Sequence, residues 1–585
     1  MLTRFLALAS TLALISTTQA LAEVTIEETL LSPLGQGFSY TPSPAPADLA
    51  TVGPAGSRMA VYYNGEPGPK FDEIIATQPT PEGGGGLQIM FSPDGSRIAY
   101  AGRKRDKFTL IIDDQEVATG LYDGNQNSIE GIGFTPDSQH YFYRLGKLDE
   151  NGARTWSFVM DGVPSPALSD GRFQALVSPV GNGYVLIGTL KETGEQVMIR
   201  DGSVVDARPT KFMYSPDGRL YTLEHDSTGN QISLKLDGQA LYTGAYSVHE
   251  IILAPEGESW AMIGHPHDGQ DGPRLILNGE VIEGRLLNLG MQKPFQFSPD
   301  GSRWSAIMMP DHGRQYAVID GEEGDEYQSI ESVTFSPDSQ HVSYWGRSPS
   351  GAFFVIDGEE QNDMAGVTPP AIYGGGGDHI VWHVQNLSPS SQKIWYDDIP
   401  YVPTQQQFYW TTANMSHDGS RLAFLENYTV HELTADGVIK HEGIRVHATG
   451  QSARGGFTPL PKGTMFSPDN KYLVYYGTHM QSRSQGIFFN DKRAIDVQGS
   501  AIIRIGFSND GNHLFVILGV GNGRALLVDG ETVMQFAAQP FESDENMWHI
   551  DDTGVLHFLL ADNEGIKRVT VTPSSDKTVH DLISE

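Results

Sequence analysis

One loop of the chain concentrates residue types that bind divalent metals. His265 and His267 are followed by Asp268 and Asp271. Imidazole nitrogens and carboxylate oxygens together suit first-row divalent ions. The apolar segment 261–264 precedes them, so the four side chains are expected in a hairpin loop after a strand. The sequence therefore predicts a candidate divalent-metal site at these four residues, and a merely polar hairpin loop is the alternative.

Two further histidine groups could serve acid–base or metal chemistry. His379 and His383 lie four residues apart in an alternating segment, which places both side chains on one face of a strand. Ordinary packing is the alternative for this pair. The second group lies in the longest interval of the repeat described below and contains His431, His441, His447, Glu426, Glu432 and Glu442. A long interval indicates an inserted loop, either a decorated surface hairpin or a lid that contacts a ligand.

The motifs of several enzyme classes are absent from the sequence. There is no G-x-S-x-G nucleophile elbow, no G-x-x-x-x-G-K-[ST] phosphate loop and no H-E-x-x-H zinc motif. The chain has no cysteine, which excludes thiolate catalysis, cysteine-ligated zinc and disulfides. No catalytic residue and no cofactor-binding residue is therefore assigned. Enzymatic activity stays open, and a non-catalytic role is expected.

One repeat covers most of the chain and must position these residues. A turn followed by an alternating strand, as in FSPDGSRIAY at 91–100, recurs about every 41 residues. Proline presets φ, Asp-Gly completes the turn, and the alternation that follows is typical of a half-buried strand. Strong copies begin at residues 91, 134, 214, 297, 335, 415, 466 and 507, and weaker ones at 52, 177, 253, 373 and 550.

A second turn signal lies out of phase with the first. Strands that end in Asp-Gly or Asn-Gly are typical of two-residue hairpins, and they close the segments 158–162, 234–238, 275–279, 317–321, 354–358 and 526–530. Each unit then holds three or four short strands, so the fold is all-β. We assign these Asp residues to turns and not to calcium, because no D-x-D-x-D-G series occurs.

Units of this kind must stack, because a four-stranded sheet cannot bury both faces alone. Stacking about an axis gives a β-propeller, usually of about four to eight blades. Thirteen copies exceed one such ring, so we predict two tandem propellers of about six plus seven blades. The predicted domains are a signal peptide at 1–22, a first propeller at 23–292 and a second at 293–585. A seven-plus-six division near residue 330 is the alternative.

FSPDGSRIAY and its copies resemble the WD40-like PD40 repeat, which builds the C-terminal propeller of TolB-type periplasmic proteins. The resemblance covers roughly residues 50–560 and implies a propeller fold. It does not imply one activity, because a propeller frame hosts many functions. TolB-type proteins also carry a separate N-terminal α/β domain, and residues 23–50 are too few to supply one.

The N-terminus resembles a secretory signal peptide. Arg4 precedes an apolar run from Phe5 to Ile15, and the segment ends in an A-x-A pattern at 20–22. We therefore expect a periplasmic or secreted protein. No later stretch reaches about 18 apolar residues, so no transmembrane segment is expected after cleavage. Asp and Glu number 72 against 39 Lys and Arg, a net charge of −33, which disfavours nucleic acid as a partner.

Two functions fit these observations. The first is an exported, non-catalytic scaffold that binds a protein or glycan partner in the cell envelope. The second is a secreted carbohydrate-active enzyme, such as a polysaccharide lyase with a site in the propeller channel. A lyase needs a base near the proton it removes and a cation or metal to neutralise the uronate. A basic channel with histidines favours the enzyme, and a flat apolar rim favours the scaffold.

The acidic composition generates a prediction about salt. A net charge of −33 destabilises the compact state through self-repulsion, and 1 M salt shortens the Debye length to ~3 Å. We expect the melting temperature to rise with sodium chloride, and calcium to add little beyond its ionic strength. Melts at matched ionic strength in the two chlorides measure this. A calcium-specific rise of several degrees at millimolar concentration would reveal a metal site that had been taken for a turn.

Overall fold

Short antiparallel strands make up nearly all of the regular secondary structure in the described residues. The computed structural model describes residues 24–33, 39–42, 49–75, 89–121, 129–148, 153–171, 173–207, 209–267, 272–287, 293–310, 313–365, 370–385, 392–403, 408–446, 464–497, 500–538, 548–575 and 577–584. The predicted signal peptide lies outside these residues. Within them, no helix has the length and apolar character that crossing a membrane requires.

The described strands form thirteen sheets, each of which is one blade. Ahead of the first blade lies β1 (Thr25–Pro33). Blades 1 to 6 contain β2 (Ser39–Pro42), β3 (Leu49–Pro54), β4 (Met59–Tyr63) and β5 (Glu66–Pro67); β6 (Glu73–Ile75), β7 (Ile89–Phe91), β8 (Ile98–Lys104), β9 (Lys107–Ile112) and β10 (Gln115–Leu121); β11 (Ile129–Phe134), β12 (Tyr141–Leu148), β13 (Arg154–Met160) and β14 (Val163–Pro164); β15 (Gln174–Val177), β16 (Tyr184–Thr189), β17 (Gln196–Arg200) and β18 (Ser203–Val205); β19 (Pro209–Tyr214), β20 (Leu220–His225), β21 (Ile232–Leu236) and β22 (Gln239–Gly244); and β23 (Tyr246–Leu253), β24 (Trp260–Pro266), β25 (Arg274–Leu277) and β26 (Glu280–Ile282).

The remaining blades follow the same plan, with a 3₁₀ turn (Gly375–Gly377) in blade 9 and a C-terminal helix α1 (Val579–Ser584) after blade 13. Blades 7 to 13 contain β27 (Phe295–Phe297), β28 (Trp304–Met308), β29 (Tyr316–Ile319) and β30 (Glu322–Glu323); β31 (Ser329–Phe335), β32 (Val342–Ser348), β33 (Gly351–Ile356) and β34 (Glu359–Ala365); β35 (Ile372–Gly374), β36 (His379–Gln385), β37 (Gln392–Tyr396) and β38 (Ile399–Tyr401); β39 (Phe408–Met415), β40 (Arg421–Glu426), β41 (Thr429–Thr434) and β42 (Gly437–His441); β43 (Ile444–Val446), β44 (Thr464–Phe466), β45 (Leu473–His479), β46 (Gln485–Phe489) and β47 (Lys492–Asp496); β48 (Ala501–Phe507), β49 (Leu514–Val520), β50 (Gly523–Val528) and β51 (Glu531–Ala537); and β52 (Trp548–Ile550), β53 (Leu556–Ala561) and β54 (Gly565–Thr572).

The second strand of a blade is buried on both faces, whereas the sequence predicted that only one face would be buried. In β8, Ile98 and Tyr100 pack toward blade 1, while Ala99 and Ala101 pack toward blade 3. Alternation along the strand therefore divides large from small apolar residues between two neighbouring blades. Fourth strands such as β14 and β30 are exposed and form the outer edge, which leaves the first strand of each blade innermost.

Consecutive blades pack through apolar clusters all around the molecule. Ala261 and Ile263 of blade 6 contact the cluster of Phe295 and Met308 in blade 7, so packing is continuous past residue 292. Blade 13 packs on blade 1 through Leu559 and other apolar residues. The described blades therefore form a single thirteen-bladed β-propeller. The prediction of two tandem propellers of six and seven blades is wrong, because the repeat length fixes the blade but not the number of blades per turn.

The N-terminal strand closes this ring. It pairs antiparallel with β54 from Thr25↔Thr572 to Pro33↔Gly565 and so becomes the fourth strand of blade 13. Leu31 is 1% exposed and packs with Leu49 of blade 1 and with Leu559 and Ile566 of blade 13. The ends of the described chain are thus joined by backbone hydrogen bonds and an apolar contact.

The weak repeat copy at 52–61 has a different role from the other copies. Residues 55–58 connect β3 to β4, the second and third strands of blade 1, whereas the strong copies connect first to second strands. The equivalent connection in blade 1 joins β2 to β3 and lies outside the described residues. The residues Pro-Ala-Gly-Ser suit both a turn between the first and second strands and a turn between the second and third strands. The sequence pattern alone therefore assigned this copy to the wrong connection.

Closure by β1 generates a prediction with a matched control. Leu31→Ala removes buried methyl groups at the junction of blades 13 and 1, and we expect the free energy of unfolding to fall by about 2–5 kcal/mol. Leu30→Ala changes a neighbouring side chain that is 47% exposed, so its effect should stay within about 0.5 kcal/mol. Thermal and denaturant unfolding measure both. Equal stability of the two variants would contradict closure through Leu31.

Candidate functional site

The repeated Ser-Pro-Asp-Gly turn is an internally bonded unit. In blade 2, Ser92 Oγ donates to Asp94 Oδ1 at 2.6 Å and accepts from the Arg97 backbone N–H at 2.9 Å. Ser92 is fully buried. The hydrogen bond from Ser92, with that from Ser96, lowers the pKa of Asp94 to about 2. The carboxylate of Asp94 therefore stabilises the turn in which it lies.

The Asp-Gly hairpins bond back to the start of the second strand. Asp320 and Gly321 have φ of 52° and 92°, as a two-residue hairpin turn requires. Asp320 accepts the Trp304 backbone N–H at 2.8 Å and the Arg303 Nε–H at 2.7 Å. Histidine replaces arginine in other blades, where the pairs are His140–Asp161, His341–Asp357, His379–Asp397 and His513–Asp529. The assignment of these Asp residues to turns is confirmed.

The same turns also join neighbouring blades. Ser339 Oγ of blade 8 accepts the Asp300 backbone N–H of blade 7 at 3.0 Å. Asp137 Oδ2 of blade 3 likewise accepts the Gly181 N–H of blade 4 at 2.6 Å. The serine and aspartate side chains of these repeat turns therefore hold the blades together.

The structure separates the predicted pair His379 and His383. His379 Nδ1 bonds Asp397 at 2.9 Å in one of these hairpins. His383 is 3% exposed, and this burial lowers its pKa to about 4. One histidine belongs to the turn frame and the other to the interior of the sheet, as the packing alternative predicted.

The predicted metal loop lies only partly within the described residues, because Asp268 and Asp271 fall outside them. His267 bonds Ser247 Oγ and the Asn230 carbonyl, each at 3.0 Å. His265 instead packs edge-on against His249, with ring centroids 4.9 Å apart. Among the described residues, no group of three or more His, Asp or Glu side chains is placed to hold a metal ion.

Sequence reasoning missed His249, which lies on the innermost strand of blade 6. The strand has a bulge between Val248 and Glu250, and this irregularity brings His249 beside His265. Partial burial, the neighbouring His265 and the Lys211 ammonium lower the pKa of His249. A bulge changes which side chains face each other across a strand pair, and no signal in the sequence marks this one.

The predicted insertion interrupts the innermost strand of blade 11. β43 and β44 both pair with β45, and the segment between them, which includes His447, lies outside the described residues. Glu442 is exposed and pairs with Lys440 at 3.0 Å. The remaining four residues of the predicted group are buried in blade 10 or its interfaces, so the described members of the group do not form one site.

Blade 10 presents a buried ionic network to blade 11. Glu432, which is 3% exposed, accepts from Arg421 Nε at 2.6 Å and from Arg421 Nη2 at 2.9 Å. His441 lies between Glu432 at 3.2 Å and Asp491 of blade 11 at 2.7 Å. The Arg421 guanidinium also covers the Phe466 ring at 5.0 Å. The charges are therefore paired, as buried charges must be.

The opposite face of blade 10 carries a second polar network, toward blade 9. His431 precedes Glu432 on β41, so the two side chains point to opposite faces. Tyr401 of blade 9 donates to Glu426 at 2.7 Å, and its hydroxyl lies 3.1 Å from His431 Nδ1. Burial lowers the pKa of His431, although the nearby Glu426 opposes this shift. These contacts join blades 9 and 10.

Large apolar side chains are exposed along the outer edge of four consecutive blades. We call the outer rim the set of exposed aliphatic residues on the fourth strands of blades 3 to 6, namely Val163, Val204, Leu241 and Val281. Their exposed fractions are 67%, 49%, 39% and 46%. The fourth strand of blade 10 adds Val438 and Ile439. The outer rim thus places one exposed aliphatic side chain on each of four consecutive blades.

The blade topology defines the chain as a β-propeller. No protein-family model matches the sequence, and no curated protein is significantly similar to it. Among solved structures, a crystal structure of the eukaryotic initiation factor is 12% identical and covers 76% of this chain and 93% of its own, with a TM-score of 0.27. The Dos1 propeller is 12% identical and covers 71% and 95%, with a TM-score of 0.24. These low scores carry no argument, and the class rests on the blades themselves.

The Glu432 network generates a prediction about pH. Burial alone would raise the pKa of Glu432, but the bonds from His441 and Arg421 outweigh it and lower that pKa from 4.5 to about 2. The carboxylate therefore stabilises the fold above pH 4.5, and this stabilisation is lost as the pH falls toward 2. Burial alone would lower the pKa of His441, but Glu432 and Asp491 raise it above 6.5. Its stabilisation is complete below pH 6.5 and is lost as the pH rises through the raised pKa.

We therefore expect Glu432→Gln to be most destabilising between about pH 4.5 and 6.5, by about 3–5 kcal/mol, because it leaves buried charges unpaired. The difference from the unsubstituted protein should shrink on either side of this window. Glu442→Gln, an exposed change in the same region, is the control and should show no such profile. Denaturant unfolding from pH 3 to 9 measures the differences, and a flat profile for Glu432→Gln would contradict the prediction.

Proposed function

We propose that the protein is an exported, non-catalytic β-propeller scaffold that binds a protein or glycan partner in the cell envelope. The observation that carries this proposal is the outer rim, where aliphatic side chains stay exposed on four consecutive blades. A partner that covers these side chains removes apolar surface from water, which favours association. A protein partner is therefore the first expectation.

The polar residues of the repeat support the same proposal. Ser92, Asp94, Asp320 and their equivalents are bonded to their own turns or to adjacent blades. They rigidify the frame, so the outer rim is held in place before any partner arrives, which lowers the ordering cost of binding. Export rests on the resemblance of residues 1–22 to a signal peptide, and the TolB-type character on the repeat alone.

The alternative, a polysaccharide lyase, is favoured by one observation. His249 lies on an innermost strand with a lowered pKa, which keeps it neutral near pH 7, as a general base requires. Lys211 Nζ donates to the carbonyls of Val248 and His249, so a cation lies nearby. A divalent metal at His265, His267, Asp268 and Asp271 would belong to this alternative. Unsaturated product released from uronate polysaccharides, followed by its absorbance, would establish the enzyme and contradict a non-catalytic scaffold.

The scaffold is tested by changing the outer rim while preserving the fold. We expect Val204→Asp with Val281→Asp to lower recovery of envelope proteins on the immobilised mature chain at least tenfold, because charge at an apolar contact opposes its desolvation. Quantitative mass spectrometry of the captured proteins measures this, and melting temperatures check the fold.

The matched control is Val180→Asp with Val520→Asp. Both valines are similarly exposed, at 46% and 49%, but lie away from the fourth strands. Recovery with this control should equal that of the unsubstituted chain. If both double variants recover the same proteins at the same level, the outer rim does not carry the proposed function.

A further inference from the structure

The first two strands of blade 7 and the first strand of blade 8 line an open cleft that the proposed function does not use. Its volume is about 380 Å³, within the range of small-molecule sites. Its polar lining comes from Lys293, Gln296, Ser305, Glu331 and Ser332. The outer rim lies on fourth strands, so the cleft and the outer rim are separate surfaces.

The charge of the cleft is opposite in sign to that of the whole chain. Glu331 is neutralised by Arg347, whose Nε and Nη2 lie 3.0 and 3.2 Å from the two carboxylate oxygens of Glu331. Lys293 is exposed, and among the described residues no carboxylate pairs with its ammonium. The lining therefore carries one uncompensated positive charge in a protein of net charge −33, which favours an anionic ligand.

The backbone at the cleft is strained at Ser332, whereas the equivalent residue of blade 3 is a glycine and is not strained. β31 has a bulge between Glu331 and Thr334, with Ser332 at φ 56°. The sequence-equivalent bulge of blade 3 places Gly131 at φ 61°. Glycine adopts this left-handed conformation without cost, whereas a residue with a Cβ is strained there. A serine at this position costs stability relative to glycine, and such strain is found at functional sites.

The remaining polar groups suit hydroxyl groups. Gln296 Nε2 donates to the Val333 carbonyl across the cleft at 3.3 Å, which fixes the amide and leaves its oxygen as an acceptor. Ser305 and Ser332 add hydroxyls that can donate and accept. Among the described residues, no aromatic ring lines the cleft, so a flat apolar ligand would gain little from them.

We propose that this cleft binds a small hydroxylated carboxylate of the uronic-acid class, with the carboxylate at Lys293 and the hydroxyls at Gln296 and Ser332. One ammonium matches one carboxylate, whereas a phosphate dianion would stay under-neutralised. The proposal does not depend on the outer rim, so failure of either leaves the other standing.

The test uses the full mature chain and isothermal titration calorimetry at low ionic strength. The probes are glucuronate and galacturonate, with glucose and galactose as neutral counterparts and inorganic phosphate as a competing anion. We expect the two acids to bind at submillimolar concentration, at least tenfold more tightly than the neutral sugars or phosphate. A galacturonate trisaccharide that binds more tightly than the monomer identifies a polysaccharide end as the source, and preference for the monomer identifies the free acid.

Two variants separate recognition from stability. Lys293→Met should weaken binding at least tenfold, while Lys70→Met, at another exposed lysine, should leave it unchanged. Ser332→Gly should raise the melting temperature, because it relieves the strained conformation, and yet weaken binding at least threefold. A purely structural Ser332 would raise the melting temperature with binding unchanged, which would overturn its assigned role. Absence of binding at 10 mM acid, or equal binding of acids and neutral sugars, would overturn the site.

Discussion

The antiparallel pairing of β1 with β54 is the interaction on which the rest of the ring depends. Each blade buries its apolar faces only against two neighbours, so thirteen blades are stable together only if the last contacts the first. Without β1, blade 13 has three strands and the Leu31 contact is missing. No disulfide can substitute for this closure, because the chain has no cysteine. Backbone hydrogen bonds and one small apolar cluster therefore hold the ends of the ring.

Between these ends, the hydrogen bonds of the polar turns contribute stability that other folds obtain from larger apolar cores. Their serines are buried yet fully bonded, and their carboxylates accept backbone N–H groups that would otherwise lack partners. Blade 10 goes further, since β41 directs His431 toward blade 9 and Glu432 toward blade 11. Most of the histidines and acidic residues that the sequence marked as candidates for chemistry therefore belong to the frame. The surfaces that remain for binding are not specified by the repeat.

Much of the fold could be predicted from local chemistry, because turns and strands are local features. FSPDGSRIAY and the Asp-Gly hairpins predicted an all-β propeller and the role of residues such as Asp320. The number of blades in the ring could not be predicted, since it depends on small interblade angles set by packing such as that of Ala261 against Phe295. His249 and Ser332 owe their positions to bulges, which depend on strand register and leave no mark in composition.

The closing strand has a consequence for how the protein is made. β1 is synthesised before the other described strands, and its partner β54 is synthesised after them, so no other described strand pair has as great a sequence separation. Contacts between distant residues form slowly, and an unpaired strand edge can join the wrong chain while it waits. A newly synthesised chain is therefore an incomplete ring in which β1 has no partner. The time that it spends in this state determines how much protection it needs from pairing with another chain.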